Sequence, residues 1–282
     1  MQFEHIAIIG AGTMGHGIAH VSAAAGYRVT LYDVDEARVS AGLAKVKAAL
    51  DKGVEKGKVT IEAREQTLSL LGSTTELAQL AGADLVIEAI PERLEMKQAL
   101  FLQLEAICAD SAVFATNTSS LSIAKIAASL KDPSRVIGTH FFNPVHIMTL
   151  LELVVHDGTR EQVRDDLLAY GARIGKECIL VHDVPGFATS RLGVCLGMEA
   201  IRMVEQGVAS PEDIDKAMVL GYRHPVGPLR LTDMVGLDVR MNIGEYLARE
   251  LGNPAFEPPA LMRKMVAEGK LGQKSGQGFY RW

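Results

Sequence analysis

Between Ser119 and Glu152 a serine, a histidine and a glutamate each stand at or just past an apolar, β-type run: Ala112–Ala115, Arg135–Gly138 and Thr149–Val155. In α/β sheets ligands collect beyond the carboxyl ends of strands, so these positions are where chemistry is expected. A histidine oriented by a carboxylate is the usual equipment for moving a proton near neutral pH. His140 stands in Thr139-His140-Phe141-Phe142-Asn143-Pro144, and Glu152 is a lone charge among Leu151, Leu153 and Val154. A carboxylate in an apolar strand needs a partner, and a histidine is a natural one. On their own the same residues also fit a solvated histidine and a glutamate paired with some other cation.

The start of the chain favours chemistry. His5-Ile6-Ala7-Ile8-Ile9 is a short apolar run followed by Gly10-Ala11-Gly12-Thr13-Met14-Gly15, and Met14, Ile18, Val21 and Ala25 then share one helical face. A second strand, Arg28–Tyr32, ends at Asp33. Strand, glycine turn, helix, strand and acid form the dinucleotide fingerprint in its full context. Gly10 serves the tight turn, Gly12 lets the backbone approach a pyrophosphate, and Gly15 lets helix and strand pack closely. The helix N-terminus, from Ala11, Thr13 and Met14 onward, offers N–H groups to the phosphates. Asp33 is placed to accept hydrogen bonds from the adenosine ribose. A carboxylate there repels the extra phosphate of NADP, and Arg38, the only nearby cation, lies almost two helical turns on; NAD is the expected cofactor.

The elements that must position these residues alternate. Strands are expected at Ile6–Ile9, Val29–Tyr32, Leu68–Leu71, Leu85–Ala89, Val113–Thr116, Val136–Thr139, Leu150–Val155 and Cys178–Val181. Helices are expected between most of them, notably Asp35–Lys56, Leu94–Ala109 and Arg160–Ile174. This pattern implies an α/β fold, a Rossmann-type, mostly parallel sheet over residues 1–184. Val184-Pro185-Gly186 punctuates the chain, and residues 185–282 read as an all-α C-terminal domain. Its helices are expected at Ala188–Gln206, Pro211–Leu220, Val239–Leu251 and Pro259–Glu268, with Ser210 as an N-cap and Pro211 and Pro259 in first turns.

The bulk composition is that of an ordinary globular protein of one large or two modest domains. A net charge of −5 argues against a general nucleic-acid binder. Cys108, Cys178 and Cys195 are odd in number and far apart, with no metal-ligand spacing, and read as reduced thiols of a cytoplasmic protein. The first strand begins too early to leave room for a signal peptide, and no apolar run reaches the length of a membrane span.

The chain resembles the 3-hydroxyacyl-CoA dehydrogenase family, in the short stand-alone form that acts on 3-hydroxybutyryl-CoA. The resemblance rests on IAIIGAGTMGHGIA at the start, NTSSLSI at Asn117–Ile123, HFFNPV at His140–Val145 and PGF at Pro185–Phe187. It continues in HPVGPLRLTDMVGLD at His224–Asp238 and GQKSGQGFY at Gly272–Tyr280. It implies that His140 is the general base, oriented by Glu152, and that Ser119 hydrogen-bonds the reacting oxygen. It also implies that Asn143, Glu92, Lys97, Ser119 and Lys274 lie by the cofactor, that an acyl-CoA is the substrate, and that the helical domain forms part of the substrate cleft and a homodimer interface. Asn117 and Thr118 either touch ligand or shape their turn.

Two departures from the family pattern bear on the substrate. Ser190 stands where the family often has a substrate-facing asparagine, and either donates a shorter, water-assisted hydrogen bond or faces its own helix. Thr149 replaces a common lysine. Between Ala44 and Lys58 five lysines fall in an otherwise acidic protein. Such a run is either a solvated face or a surface for the phosphates of CoA, with Lys56 and then Lys52 the best matches. A dehydrogenase of free hydroxy acids or sugar acids has no use for that arm. A non-catalytic dinucleotide-binding protein has none for the histidine and glutamate.

Overall fold

The apolar runs become strands because branched and aromatic side chains suit a pleated surface that is covered on both faces. In the computed structural model, which describes residues 3–282, these are β1 (His5–Ile9), β2 (Arg28–Tyr32), β3 (Leu71–Thr74), β4 (Leu85–Glu88), β5 (Val113–Thr116), β6 (Val136–Phe141), β7 (Leu150–Val155) and β8 (Glu177–His182). They form one sheet in the order β3-β2-β1-β4-β5-β6-β7-β8. From β1 the chain goes to one side, through β2 and β3, and then back to the other, through β4. That reversal opens a crevice beyond the carboxyl ends of β1 and β4.

The helices of this first compact unit, which ends at Asp183, are α1 (Gly15–Ala24), α2 (Glu36–Glu55), α3 (Ile61–Ser69), α4 (Leu94–Ile107), α5 (Ile123–Ala127) and α6 (Glu161–Arg173). Ile6, Ile8, Leu31, Leu85, Ile87 and Leu153 are fully buried in its core, each contributing about 1.5–3 kcal/mol by leaving water. All strand pairs are parallel except β6 with β7. The connection from Phe142 to Thr149 is too short for the crossover of about a dozen residues that a parallel pair needs. The chain therefore turns straight back, and His140 comes to lie directly opposite Glu152.

One expected strand is corrected. Leu68 falls in the last turn of α3, which Thr60 caps by accepting the N–H of Ala63 at 3.1 Å. The strand starts at Leu71, paired with Val29. Short apolar runs do not distinguish strand from helix by periodicity, and the cap decided the matter.

The second unit, Val184–Trp282, holds α7 (Thr189–Glu205), α8 (Pro211–Lys216), α9 (Pro228–Val235), α10 (Leu237–Leu251) and α11 (Ala260–Ala267). Ser210 caps α8 through the N–H of Asp213, with Pro211 in the first turn, whereas Pro259 sits just before α11. Met198, Ile201, Leu229, Leu237, Leu247 and Met262 form its core. Two buried acids bind the chain end. Asp233 accepts from the N–H groups of Phe279 and Tyr280, and Asp215 accepts from the Tyr280 hydroxyl at 2.7 Å. Among the described residues no helix is long and apolar enough to cross a membrane.

Candidate active site

The crevice beyond β1 and β4 is a cavity of about 660 Å³, lined by Gly10, Gly12, Thr13, Met14, Tyr32, Asp33 and Arg38 on one side. Ala89, Ile90, Pro91, Met96, Leu100 and Gln103 line the other. Gly10 has φ +98°, and a Cβ there would lie 2.7 Å from the carbonyl oxygen of Ala89. A Cβ on Gly15 would fall 1.7 Å from the Gly10 oxygen, so α1 starts hard against the turn. A Cβ on Gly12 meets nothing within 4 Å. The turn is tight behind and open in front.

Helix α1 has Met14 as its N-cap, no side-chain cap and no acid in its first turn; His16 donates its N–H to the Gly12 carbonyl at 3.3 Å, and the positive end of the helix suits an anion. Asp33 is engaged by the loop it faces. Its Oδ2 accepts the Ala11 N–H at 2.9 Å, its Oδ1 accepts the Val34 N–H at 2.8 Å, and Arg38 Nη1 is 3.8 Å from Oδ1. Arg38, in the first turn of α2, is thus closer to the acid than its sequence distance indicates. An open glycine turn, an uncapped helix and a ribose-facing carboxylate fit a dinucleotide.

At the neighbouring strand ends His140 Nδ1 is 2.6 Å from Glu152 Oε2, with His140 6 % exposed and Glu152 fully buried. Antiparallel pairing supplies this contact, and Phe142 packs on the imidazole with ring centroids 4.5 Å apart. An Nδ1–H held by the carboxylate leaves the Nε2 lone pair as the basic site of the neutral ring.

Glu92 organises the serine turn. Its Oε1 accepts the Thr118 hydroxyl at 2.5 Å, the Ser119 N–H at 2.9 Å and the Ser120 N–H at 3.2 Å. Thr118 also accepts the N–H of Leu121, and Asn117 Oδ1 accepts the N–H of Phe141, tying the end of β5 to that of β6. Both residues shape the turn. Ser119 is half-buried on it.

Lys97 is fully buried, with Nζ 2.6 Å from Glu88 Oε1 and 3.5 Å from Glu92 Oε2. Asn143 is exposed in the β6–β7 connection, and Lys52 and Lys56 are exposed at the end of α2. In the second unit Lys274 pairs with Asp238 at 2.6 Å, and Ser190 is half-buried in the first turn of α7. Sequence reasoning missed Glu88, Thr116 and the part of Arg38. Glu88 carried the same signal as Glu152, a lone charge in an apolar strand.

A second group of titratable residues lies on α1 and the β6–β7 connection. The rings of His20 and His146 are 5.6 Å apart. Burial, aided by His146 and His16, pushes His20 down to about 4. Burial likewise lowers His146, with His16 and Lys176 adding to it.

A dinucleotide crevice at the reversal point of a parallel sheet, with an imidazole–carboxylate pair two strands away, defines an NAD-dependent dehydrogenase of the α/β class. Which branch of that class follows from comparison with known proteins. The profile of the 3-hydroxyacyl-CoA dehydrogenase NAD-binding domain matches residues 5–184, and that of the C-terminal domain matches residues 186–282. The chain belongs to the 3-hydroxyacyl-CoA dehydrogenase family.

It is 43% identical to the 3-hydroxybutyryl-CoA dehydrogenase of Mycobacterium tuberculosis, over 99% of this chain and 98% of that one. It is 41% identical to the mitochondrial hydroxyacyl-coenzyme A dehydrogenase of Sus scrofa, over 99% of this chain and 91% of that one. Among solved structures, (S)-3-hydroxybutyryl-CoA dehydrogenase PaaH1 from Ralstonia eutropha superposes with a TM-score of 0.96 at 39% identity. The match covers 100% of this chain and 99% of that one.

Proposed function

We propose that this chain oxidises the 3-hydroxyl of a short-chain (S)-3-hydroxyacyl-CoA, in the first instance 3-hydroxybutyryl-CoA, to the 3-ketone with NAD, and catalyses the reverse. The 2.6 Å contact between His140 Nδ1 and Glu152 Oε2 carries the reading. Neutral His140 takes the hydroxyl proton on Nε2, and Glu152 stabilises the imidazolium without being protonated itself. General-base help of this kind is worth ~10²–10⁴-fold. In the reducing direction the protonated ring returns the proton to the ketone oxygen. Bound NAD supplies the hydride acceptor. The Ser119 hydroxyl fixes the reacting oxygen, on a backbone that Glu92 holds.

Gly10 to Gly15 and Asp33 hold the dinucleotide, with Glu92, Lys97, Ser119, Asn143 and Lys274 completing its surroundings. Lys52 and Lys56 take the phosphates of CoA, and Ser190 faces the acyl group. Residues 1–184 serve as the NAD-binding domain and 185–282 as the domain for substrate and dimerisation. Leu192, Met234, Val235 and Val239 are exposed on the helical unit, which supports a homodimer. Sedimentation equilibrium returning the 30.4 kDa chain mass overturns that assembly. The free thiols Cys108, Cys178 and Cys195 suit a cytoplasmic enzyme of fatty-acid β-oxidation.

The deciding assay compares NADH oxidation with acetoacetyl-CoA and with free acetoacetate. Turnover of the thioester alone supports the reading. Equal kcat/KM for both points instead to a dehydrogenase of free acids.

A further inference from the structure

Glu88 closes β4, opposite Ile9 of β1 on one side and Thr116 of β5 on the other. It is fully buried, and so is Lys97. Glu88 Oε1 accepts the Ile90 N–H at 2.7 Å and Lys97 Nζ at 2.6 Å, while Oε2 accepts the Thr116 hydroxyl at 2.6 Å. Taking a carboxylate and an ammonium out of water costs several kcal/mol per ion, offset only when the geometry is this complete. Neither group has a part in the proton transfer proposed for His140 and Glu152.

The contacts of this pair are positional. Ile90 and Pro91 line the dinucleotide cavity, and Lys97 also reaches the Ile90 carbonyl at 3.4 Å. The next residue, Glu92, is a divided carboxylate. Its Oε2 faces Lys97 at 3.5 Å, and its Oε1 gathers Thr118, Ser119 and Ser120.

We propose that Glu88 is a positioning residue for the reaction: it anchors Lys97 at the end of β4, so that Glu92 keeps Oε1 on the serine turn and Ser119 stays in place. The inference rests on the reading of Ser119 as the hydroxyl that meets the reacting oxygen. With Glu88 neutral, Lys97 has Glu92 as the carboxylate within reach. Closing their 3.5 Å gap to a direct contact draws Glu92 away from the Ser119 and Ser120 N–H groups.

Glu88→Gln keeps the shape and removes the charge. Thr116→Val keeps both charges and removes one donor to Glu88, and serves if the first variant does not fold. Hydrogen-exchange mass spectrometry should show faster exchange over residues 117–121 in both variants, with β1 and β2 unchanged. Turnover with acetoacetyl-CoA should fall about tenfold in Glu88→Gln, less in Thr116→Val, the scale of one charged hydrogen bond. The loss should lie in kcat more than in KM, and should largely vanish when Glu88→Gln is made in a Ser119→Ala background. Unchanged exchange over 117–121 in both variants overturns the proposal. So does an equal cost of Glu88→Gln with and without Ser119. If Ser119→Ala alone leaves kcat intact, the Ser119 reading fails and the inference with it, and the exchange result shows separately whether Glu88 orders the turn.

Discussion

Replacing Glu152 with glutamine separates catalysis from folding more cleanly than any other single change in this site. Glu152 is fully buried, and its Oε2 is 2.6 Å from His140 Nδ1. Glu152→Gln keeps the shape of the side chain and substitutes an amide that is easier to bury than a carboxylate. The melting temperature should therefore move by only a few degrees. The reacting state is different, because an imidazolium then forms with no counter-charge beside it. Leaving a buried charge unpaired costs about 3–5 kcal/mol, and that loss corresponds to ~10²–10⁴-fold in kcat. A glutamine that turns its NH₂ toward Nδ1 also imposes the wrong tautomer, which acts in the same direction. The assay is acetoacetyl-CoA-dependent NADH oxidation, with NADH affinity and thermal unfolding measured in parallel. NADH binding should survive. His140→Ala should cost about as much, and the double variant little more, since the two residues act as a unit. Near-normal turnover in Glu152→Gln, or activity lost in step with a collapse of stability, refutes the reasoning.

Three further outcomes follow from the geometry. NAD(H) should be preferred to NADP(H); Asp33→Ala should weaken that preference, and adding Arg38→Ala should remove much of the gain with NADP(H), because Arg38 lines the same cavity. Equal kcat/KM for both cofactors in the unmodified enzyme contradicts this. Lys56→Ala together with Lys52→Ala should raise KM for acetoacetyl-CoA several-fold at low salt, with NADH affinity unchanged and the effect shrinking as salt rises; an equal loss with dephospho-CoA substrate shows that the lysines do not read the 3′-phosphate. His20 is held at about 4, below its ordinary 6.5, so the unfolded chain binds the proton more readily. Its contribution is fully present above 6.5 and lost as pH falls towards 4, up to about 3 kcal/mol in all. Melting temperature should accordingly drop less steeply between pH 7 and pH 4.5 in His20→Gln than in the parent, and identical slopes refute the assignment.

The sequence made legible whatever depends on neighbours along the chain. The glycine turn, the first helix and Asp33 form one contiguous unit, and each glycine meets the constraint its position implied. The histidine and glutamate were readable because they lie in consecutive apolar strands that pair across a short connection. What escaped depends on the third dimension or on weak local signals. Arg38 comes within 3.8 Å of Asp33 from the first turn of α2, a proximity that spacing along the chain does not show. The strand at Leu71 was displaced by a helix whose cap at Thr60 outweighed its apolar run. Helix α9 went unread because Pro228 and the clustered glycines around it resemble a loop, while its buried Asp233 takes partners from the far end of the chain.

Glu88 is the instructive case, since it carried the same signal as Glu152. Each is a fully buried acid in an apolar strand, and each takes a nitrogen at 2.6 Å. The chemistry of the partner separates them. An imidazole can accept a proton on one nitrogen while the other stays bound to the carboxylate, so the Glu152 pair can act. An ammonium offers only donors, so the Glu88 pair can only hold. On the function proposed above, the buried acid facing histidine marks where the proton moves, and the one facing lysine marks what must stay still while it does.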